Sequence, residues 1–235
     1  MDRPPQERIL DAVLRLLDEG GVDAVSTRAV GAAADVQAPA IYRLFGDKQG
    51  LLLAAVERGY ADWVARKGER PPIEDPVEAL RAGWDDAVAF GTDHPAMYRI
   101  SASSSSRSPA LAAGLEVLRA KVRRVAAAGR LRVSEEQAVA LMSAAGRGVT
   151  LTVIDGAPGS PAADDLRTQA REAVIAAITT ERGTVPDPAP RTLAAALRAV
   201  LPETDVLRPA ERALMDEWLE RLSAAPGAPP APPAA

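Results

Sequence analysis

The stretch "QAPAIYRLFGDKQGLL", residues 37–52, decides how the chain folds. Pro39 suits the first turn of a helix, where its missing N–H is one of the donors left unpaired anyway. That helix ends near Phe45-Gly46, and Asp47 then caps a longer helix over about 48–66. The first turn carries only Ala38, Pro39 and Ala40. Tyr42, Arg43, Phe45 and Lys48 collect beyond it. A helix this short is not stable alone, so its neighbours must hold it.

Upstream, residues 5–19 place Ile9, Val13, Leu16 and Leu17 on one face, with Glu7, Arg8, Asp11, Arg15 and Asp18 elsewhere. Gly20-Gly21 stops that helix. Ser26 caps a short second helix over 27–33 that turns Val30 inward, and "ADVQ" then redirects the chain. A supporting helix followed by two short ones across a tight turn is the helix-turn-helix arrangement. In it, the second short helix enters a DNA major groove and the first crosses the backbone.

Downstream, the punctuation stays helical. Asp75-Pro76-Val77-Glu78 supplies a cap, a proline and an early carboxylate for a helix over 76–91. A short helix covers 95–103, and Ser108-Pro109 opens another to about 128. Ser134-Glu135-Glu136-Gln137 is a capping box for a helix to about 154, and Ser160-Pro161 opens one to about 182. "GTVPDPAP" (183–190) is a linker, followed by helices near 191–200 and 208–222. The Pro/Ala tail is expected to be disordered. Nothing reads as a strand.

The 235-residue composition fits this picture. It is 47% hydrophobic but only 3% aromatic, so the core is mainly Ala, Leu and Val, which suits helix packing. There is no Cys and a single His, His94, which removes disulfides, thiolate metal sites, a Cys nucleophile and His-rich metal sites. Neither a metal nor a cofactor is expected, and the chain is not read as an enzyme. With 28 basic against 32 acidic residues the net charge is −4, so any nucleic-acid contact must be local. The start "MDRPPQERIL" lacks a signal-peptide core, and no apolar run approaches a membrane span, so a cytoplasmic protein is expected.

Residues 9–60 resemble the DNA-binding domain of the TetR family of transcriptional repressors. The resemblance rests on the first helix ending in Gly, the Ser26 cap and Val30 and Val36 around the turn. It rests above all on Tyr42-Arg43-Leu44-Phe45, Asp47-Lys48 and Leu51-Leu52. It implies that the third helix reads double-stranded DNA. Gln37, Ala38, Pro39, Ala40, Tyr42, Arg43 and Lys48 would then face the DNA, with Ser26, Thr27 and Arg28 beside its backbone. Tyr42 and Lys48 would touch phosphate.

Gln37 is the candidate for direct base contact, because an amide can pair bidentately with adenine. A Lys at a helix start opposes the helix dipole, which favours a phosphate role for Lys48. Phe45 is taken as the apolar anchor of the third helix. Pro39 and Ala40 stand where many members carry a hydroxyl residue or Gly. The first 67 residues hold nine Lys/Arg against ten Asp/Glu. A helical adaptor that has lost DNA binding is therefore the alternative reading.

The aromatics of the rest of the chain cluster in Tyr60, Trp63, Trp84, Phe90 and Tyr98, with Trp218 apart. Trp63, Trp84, Phe90, Met97, Tyr98 and Met142 are candidates to line a partly apolar pocket for an unidentified small-molecule effector. His94 is read as a cap or surface residue, and "SASSSSRSPA" (101–110) as an interhelical loop. Residues 134–154 are nearly apolar all round, which predicts a helix buried on every side. Residues 161–182 carry a stripe of Leu166, Ala170, Ala173, Val174, Ala177 and Ile178. The resemblance implies that these two helices form a homodimer interface.

The expected fold is therefore all-α. A helix-turn-helix domain covers 5–50, with helix 48–66 as connector. A helical ligand-binding and dimerisation body covers 51–182, a linker and extra helices cover 183–222, and a tail covers 223–235.

Overall fold

The computed structural model describes residues 3–68, 73–103, 109–156, 159–180, 190–203 and 205–224. The helices are α1 (Pro5–Ala24), α2 (Thr27–Ala34), α3 (Ala38–Phe45), α4 (Lys48–Gly68), α5 (Pro76–Asp93) and α6 (Pro95–Ser103), followed by α7 (Pro109–Ala127), α8 (Glu135–Asp155), α9 (Pro161–Ile178), α10 (Pro190–Val200) and α11 (Pro209–Ala224). A single 3-10 turn, Leu201–Glu203, follows α10. Among the described residues the only extended pairing is the Leu131–Thr179 bridge. The fold is all-α, as the residue pattern predicts. The Ser108 cap, most of the 183–190 linker and the tail from residue 225 lie outside the described residues.

Side-chain caps set the starts of several helices. Ser26 Oγ accepts from Ala29 N at 3.1 Å, Asp47 Oδ1 from Gly50 N at 2.7 Å and Ser134 Oγ from Gln137 N at 3.2 Å. Each satisfies a donor the first helical turn leaves open. Gly21 adopts φ +67°, so α1 is interrupted at the Gly-Gly pair and resumes for one turn to Ala24. At the start of α7, Glu57 of α4 supplies an acceptor to Ala110 N at 2.6 Å.

The chain divides into two compact units. The first comprises residues 1–72, 82–117 and 146–168. Its inner cluster joins Ile9, Val13 and Leu17 of α1 to Val30 of α2, Ile41 of α3 and Leu51, Leu52 and Ala55 of α4. Ile9, Val13 and Val30 are fully enclosed, so the predicted inward faces of α1 and α2 are the ones buried. A second cluster joins Val56 and Tyr60 of α4 to Phe90 of α5 and Met97 of α6.

The second unit comprises residues 73–81, 118–145 and 169–235. There α9 ends at Ile178 rather than near 182, because Thr179 leaves the helix to pair with Leu131. Arg132 N donates to Ile178 O at 2.8 Å and Thr180 N to Arg130 O at 2.9 Å. The α10–α11 hairpin closes over Ala194, Leu201 and Leu219. Arg198 sits at its centre, ion-paired with Asp216 at 3.0 Å, Glu136 at 3.3 Å and Glu220 at 3.5 Å.

Two expectations for α8 are corrected. It is not buried on all sides: Ala140, Leu141, Ala144 and Gly148 are exposed, with Leu141 at 39%. Apolar composition alone does not distinguish a core helix from one with an uncovered apolar face. By length and composition α8 is also long and apolar enough to cross a membrane, against the expectation that no segment qualifies. Its opposite side, with Ala138, Met142, Val149 and Val153, is packed inside the protein.

Acid should loosen the second unit. Asp75 accepts from Val77 N at 2.8 Å and Glu78 N at 3.1 Å, and Arg130 approaches it to 2.9 Å. The Glu78 amide, with the Val77 amide and Arg130, holds this carboxyl below its ordinary value, and Arg81 does the same for Glu172. Both groups release their protons more readily folded than unfolded. Their stabilisation is complete above the unfolded carboxylate value of about 4 and is lost as pH falls through the depressed folded values. Glu135, pushed up by burial, acts in the opposite sense. Asp75→Asn should therefore flatten the acid limb of a plot of Tm against pH, and an unchanged limb would refute this account.

Candidate nucleic-acid interface and interior aromatic site

The turn between α2 and α3 sets the reading helix. Asp35 closes α2 in the left-handed region (φ +53°, ψ +56°), which Asp tolerates better than most side chains. Val36 N then donates to Gly31 O at 3.0 Å. A Cβ at Gly31 would stand 2.9 Å from Val36 O, so the tight turn requires glycine there. Two arginines of α1 fasten the same end. Arg8 Nε donates to Ala34 O at 3.2 Å and Arg15 Nη2 to Ala33 O at 3.4 Å. The sequence pattern marks these two residues only as polar positions off the apolar face; their target carbonyls become visible only in three dimensions.

Helix α3 is anchored by Ile41, which is 3% exposed. Phe45, expected to be the anchor, is only half-buried. The two share one face of α3, but Ile41 belongs to the buried cluster with Val30 and Leu51, while Phe45 is only partly covered against it. Gln37 occupies the N-cap position, yet its side chain makes no capping bond and is exposed. Ala38 and Pro39 are exposed as well, and Ala40 is half-buried.

Ser26, Thr27, Arg28 and the Tyr42 hydroxyl lie at the start of α2. Tyr42 is 53% exposed, so it is not a core residue, and its hydroxyl lies 3.2 Å from Thr27 Oγ1. Lys48 Nζ donates to Val22 O at 3.3 Å, near the end of α1. An ammonium has three donors, so this bond leaves two for another acceptor. Ser26 caps α2, and Arg28 and Arg43 are exposed. A helix N-terminus flanked by hydroxyls and an ammonium suits a phosphate.

Among the effector candidates, Trp63 stacks on Phe90 with ring centroids 4.6 Å apart, and Met97 joins the same cluster. Tyr60 completes it, edge-on to Phe90 at 4.9 Å and to Trp63 at 6.3 Å. Sequence reasoning omitted Tyr60 from the site, although its place in the aromatic cluster was the available signal. Its hydroxyl lies 3.1 Å from Ser101 Oγ, and burial pushes its pKa up to about 12. Tyr98 is raised too, mainly by burial. Trp84 is buried at 4% exposure. Met142, which belongs to the second unit, is buried at 4% exposure. His94 begins α6 by accepting from Tyr98 N at 3.0 Å, and its Nδ1 lies 2.9 Å from Asp18 Oδ1 of α1. The cap expectation for His94 therefore agrees with the geometry. Among the described residues no cluster of metal-ligating side chains occurs.

Fold and exposed helix pair together define a helix-turn-helix protein with a helical body. Residues 9–55 match the family described as bacterial regulatory proteins, tetR family. Over 76 residues the chain is 40% identical to the HTH-type transcriptional repressor KstR of Rhodococcus jostii (strain RHA1), covering 32% of this chain and 35% of that protein. KstR of Mycolicibacterium smegmatis (strain ATCC 700084 / mc(2)155) is 43% identical over 58 residues, covering 25% of this chain and 28% of that protein. The alignment thus spans about a third or less of these relatives' length.

Solved structures carry the likeness through the body by fold alone. A protein of unknown function from Rhodococcus sp. RHA1 gives a TM-score of 0.62 at 20% identity, covering 76% of this chain and 97% of that one. SmeT, the repressor of the Stenotrophomonas maltophilia multidrug efflux pump SmeDEF, gives 0.58 at 23% identity, covering 78% and 96%. Residues 9–55 thus carry a helix-turn-helix domain of the tetR family, and the helical body is similar to these solved structures in fold.

Proposed function

We propose that the chain is a homodimeric, ligand-responsive transcriptional repressor of the cytoplasm, reading a palindromic operator through α3. The observation that carries this reading is the exposed rim of α3. There the Gln37 side chain makes no capping bond, while Tyr42 meets Thr27 at the start of α2 and Lys48 meets Val22 near the end of α1. The curated relatives matched over this head are repressors by name, which supports the same direction of control.

Two-fold pairing would present two such heads to one operator. The exposed side of α8, with Leu141, Ala144 and Gly148, and that of α9, with Leu166, Ala173 and Ala177, have the small apolar surface that close helix pairing needs. An effector held by the Trp63, Phe90 and Met97 cluster would release DNA only by binding the two conformers of the dimer unequally.

Selection of bound fragments from random duplex DNA should enrich an inverted repeat. Ala144→Arg should convert the protein to a monomer in light scattering and weaken binding to that repeat. Absence of an enriched repeat with the wild-type protein would favour the adaptor reading instead.

A further inference from the structure

We infer that the interior of the first unit takes a neutral, largely apolar molecule bearing a hydrogen-bond acceptor, and that the Trp84 indole N–H is the donor that meets it. The inference rests on the reading of the body as an effector site.

Trp84 is 4% exposed, and its Nε1 is fully enclosed with no hydrogen-bond partner. Buried donors without an acceptor are rare in folded proteins and cost free energy. A Phe at this position would fill space without that cost. Its neighbours show which way the N–H faces. Trp84, Val88 and Gly91 form one stripe of α5, at i, i+4 and i+7. The benzo edge of Trp84, atoms Cζ3 and Cε3, lies 3.6 and 3.8 Å from where a Cβ of Gly146 would stand on α8. Nε1 is on the opposite edge of the indole and so points away from that contact. Two turns along the stripe, Gly91 admits the Tyr98 ring and the Thr150 methyl.

The polar groups nearby are otherwise satisfied. The Thr150 hydroxyl donates to Gly146 O at 2.8 Å. Tyr60 and Ser101 bond each other. Asp85 and Asp86, which follow Trp84 in the chain, are half-buried, and Arg147, beside Gly146, is exposed and donates to the Ala102 carbonyl. The interior therefore offers aromatic surface, paired hydroxyls and an unsatisfied donor, and among the described residues no charged side chain is fully buried. Such a surface selects an apolar body with a carbonyl or ether oxygen.

The test uses the full chain and two probe pairs of different shape, 2-octanone with octane and benzophenone with diphenylmethane. Octanoate and octylammonium serve as charged probes. At least one ketone should bind about three- to tenfold more tightly than its hydrocarbon partner, the worth of one neutral hydrogen bond. Trp84→Phe should erase that difference. In 15N-labelled wild-type protein the same ketone should shift the Trp84 indole resonance, assigned by elimination with Trp63→Phe and Trp218→Phe. This readout stands even if Trp84→Phe does not fold. Equal binding of ketone and hydrocarbon, or an unmoved Trp84 resonance, overturns the inference. Binding of octanoate or octylammonium in place of both ketones overturns it and leaves the effector reading standing. Failure of every probe to bind overturns both.

Discussion

Tyr42→Phe combined with Lys48→Ala is expected to weaken operator binding by about two to three orders of magnitude at low salt. The loss should be even across operator variants. Each subunit loses a hydroxyl beside the start of α2 and an ammonium near the end of α1, and a dimer would lose both twice. Hydrogen bonds to charged groups contribute about 1.5–3 kcal/mol each and neutral ones less, so the two lysines dominate. Phosphates carry no sequence information, which is why the loss should not depend on the operator bases. Removing two phosphate-neutralising lysines should also reduce the magnitude of the salt slope by about 1.8. Gln37→Ala provides the contrast, with preference relaxed at one base position per half-site. Mobility shifts at several salt concentrations measure both effects, and an unchanged slope in the double variant would sink the phosphate roles.

Ile41→Ala should remove the reading head's grip on α3. Ile41 is the one buried side chain on this helix, and it belongs to the same core cluster as Val30 and Leu51. Truncating a buried Ile to Ala costs about 2–5 kcal/mol. The eight-residue α3 has no stability of its own to draw on. Urea unfolding should show a clearly lower midpoint, and operator binding should fall with it. Phe45→Leu, at a half-buried position, should cost less than half as much. A midpoint for Ile41→Ala within error of the wild type would refute Ile41 as the anchor.

Much of the fold was legible in the chain because helix punctuation is local. Ser26, Asp47, Asp75 and Ser134 act as caps where their side chains suit that role, and Pro39, Pro76 and Pro161 fall in first turns. What local pattern does not contain is how the helices meet. The choice of Ile41 over Phe45 as anchor depends on where α1 and α4 stand. The end of α9 depends on Leu131, nearly fifty positions away. The uncovered side of α8 follows from which neighbours happen to cover it. The candidate interface was legible as a motif, but Arg8 and Arg15 were not, because their acceptors are backbone carbonyls with no sequence signature. Tyr60 and Ser101 belong to the same category, a polar pair joined only through packing.

Those arginines bear on how such a repressor would find its operator. Among the nine cations of residues 1–67, Arg8 and Arg15 are engaged with the carbonyls of α2, Arg3 with Asp11 and Arg58 with Asp62. Arg28, Arg43 and part of Lys48 are the charge displayed beside the reading helix. Non-specific attraction to DNA scales with displayed cations. A head this sparingly charged spends little time sliding on unrelated sequence. On the proposed function, its target search proceeds mainly by separate encounters from solution, and occupancy depends on the operator's own contacts.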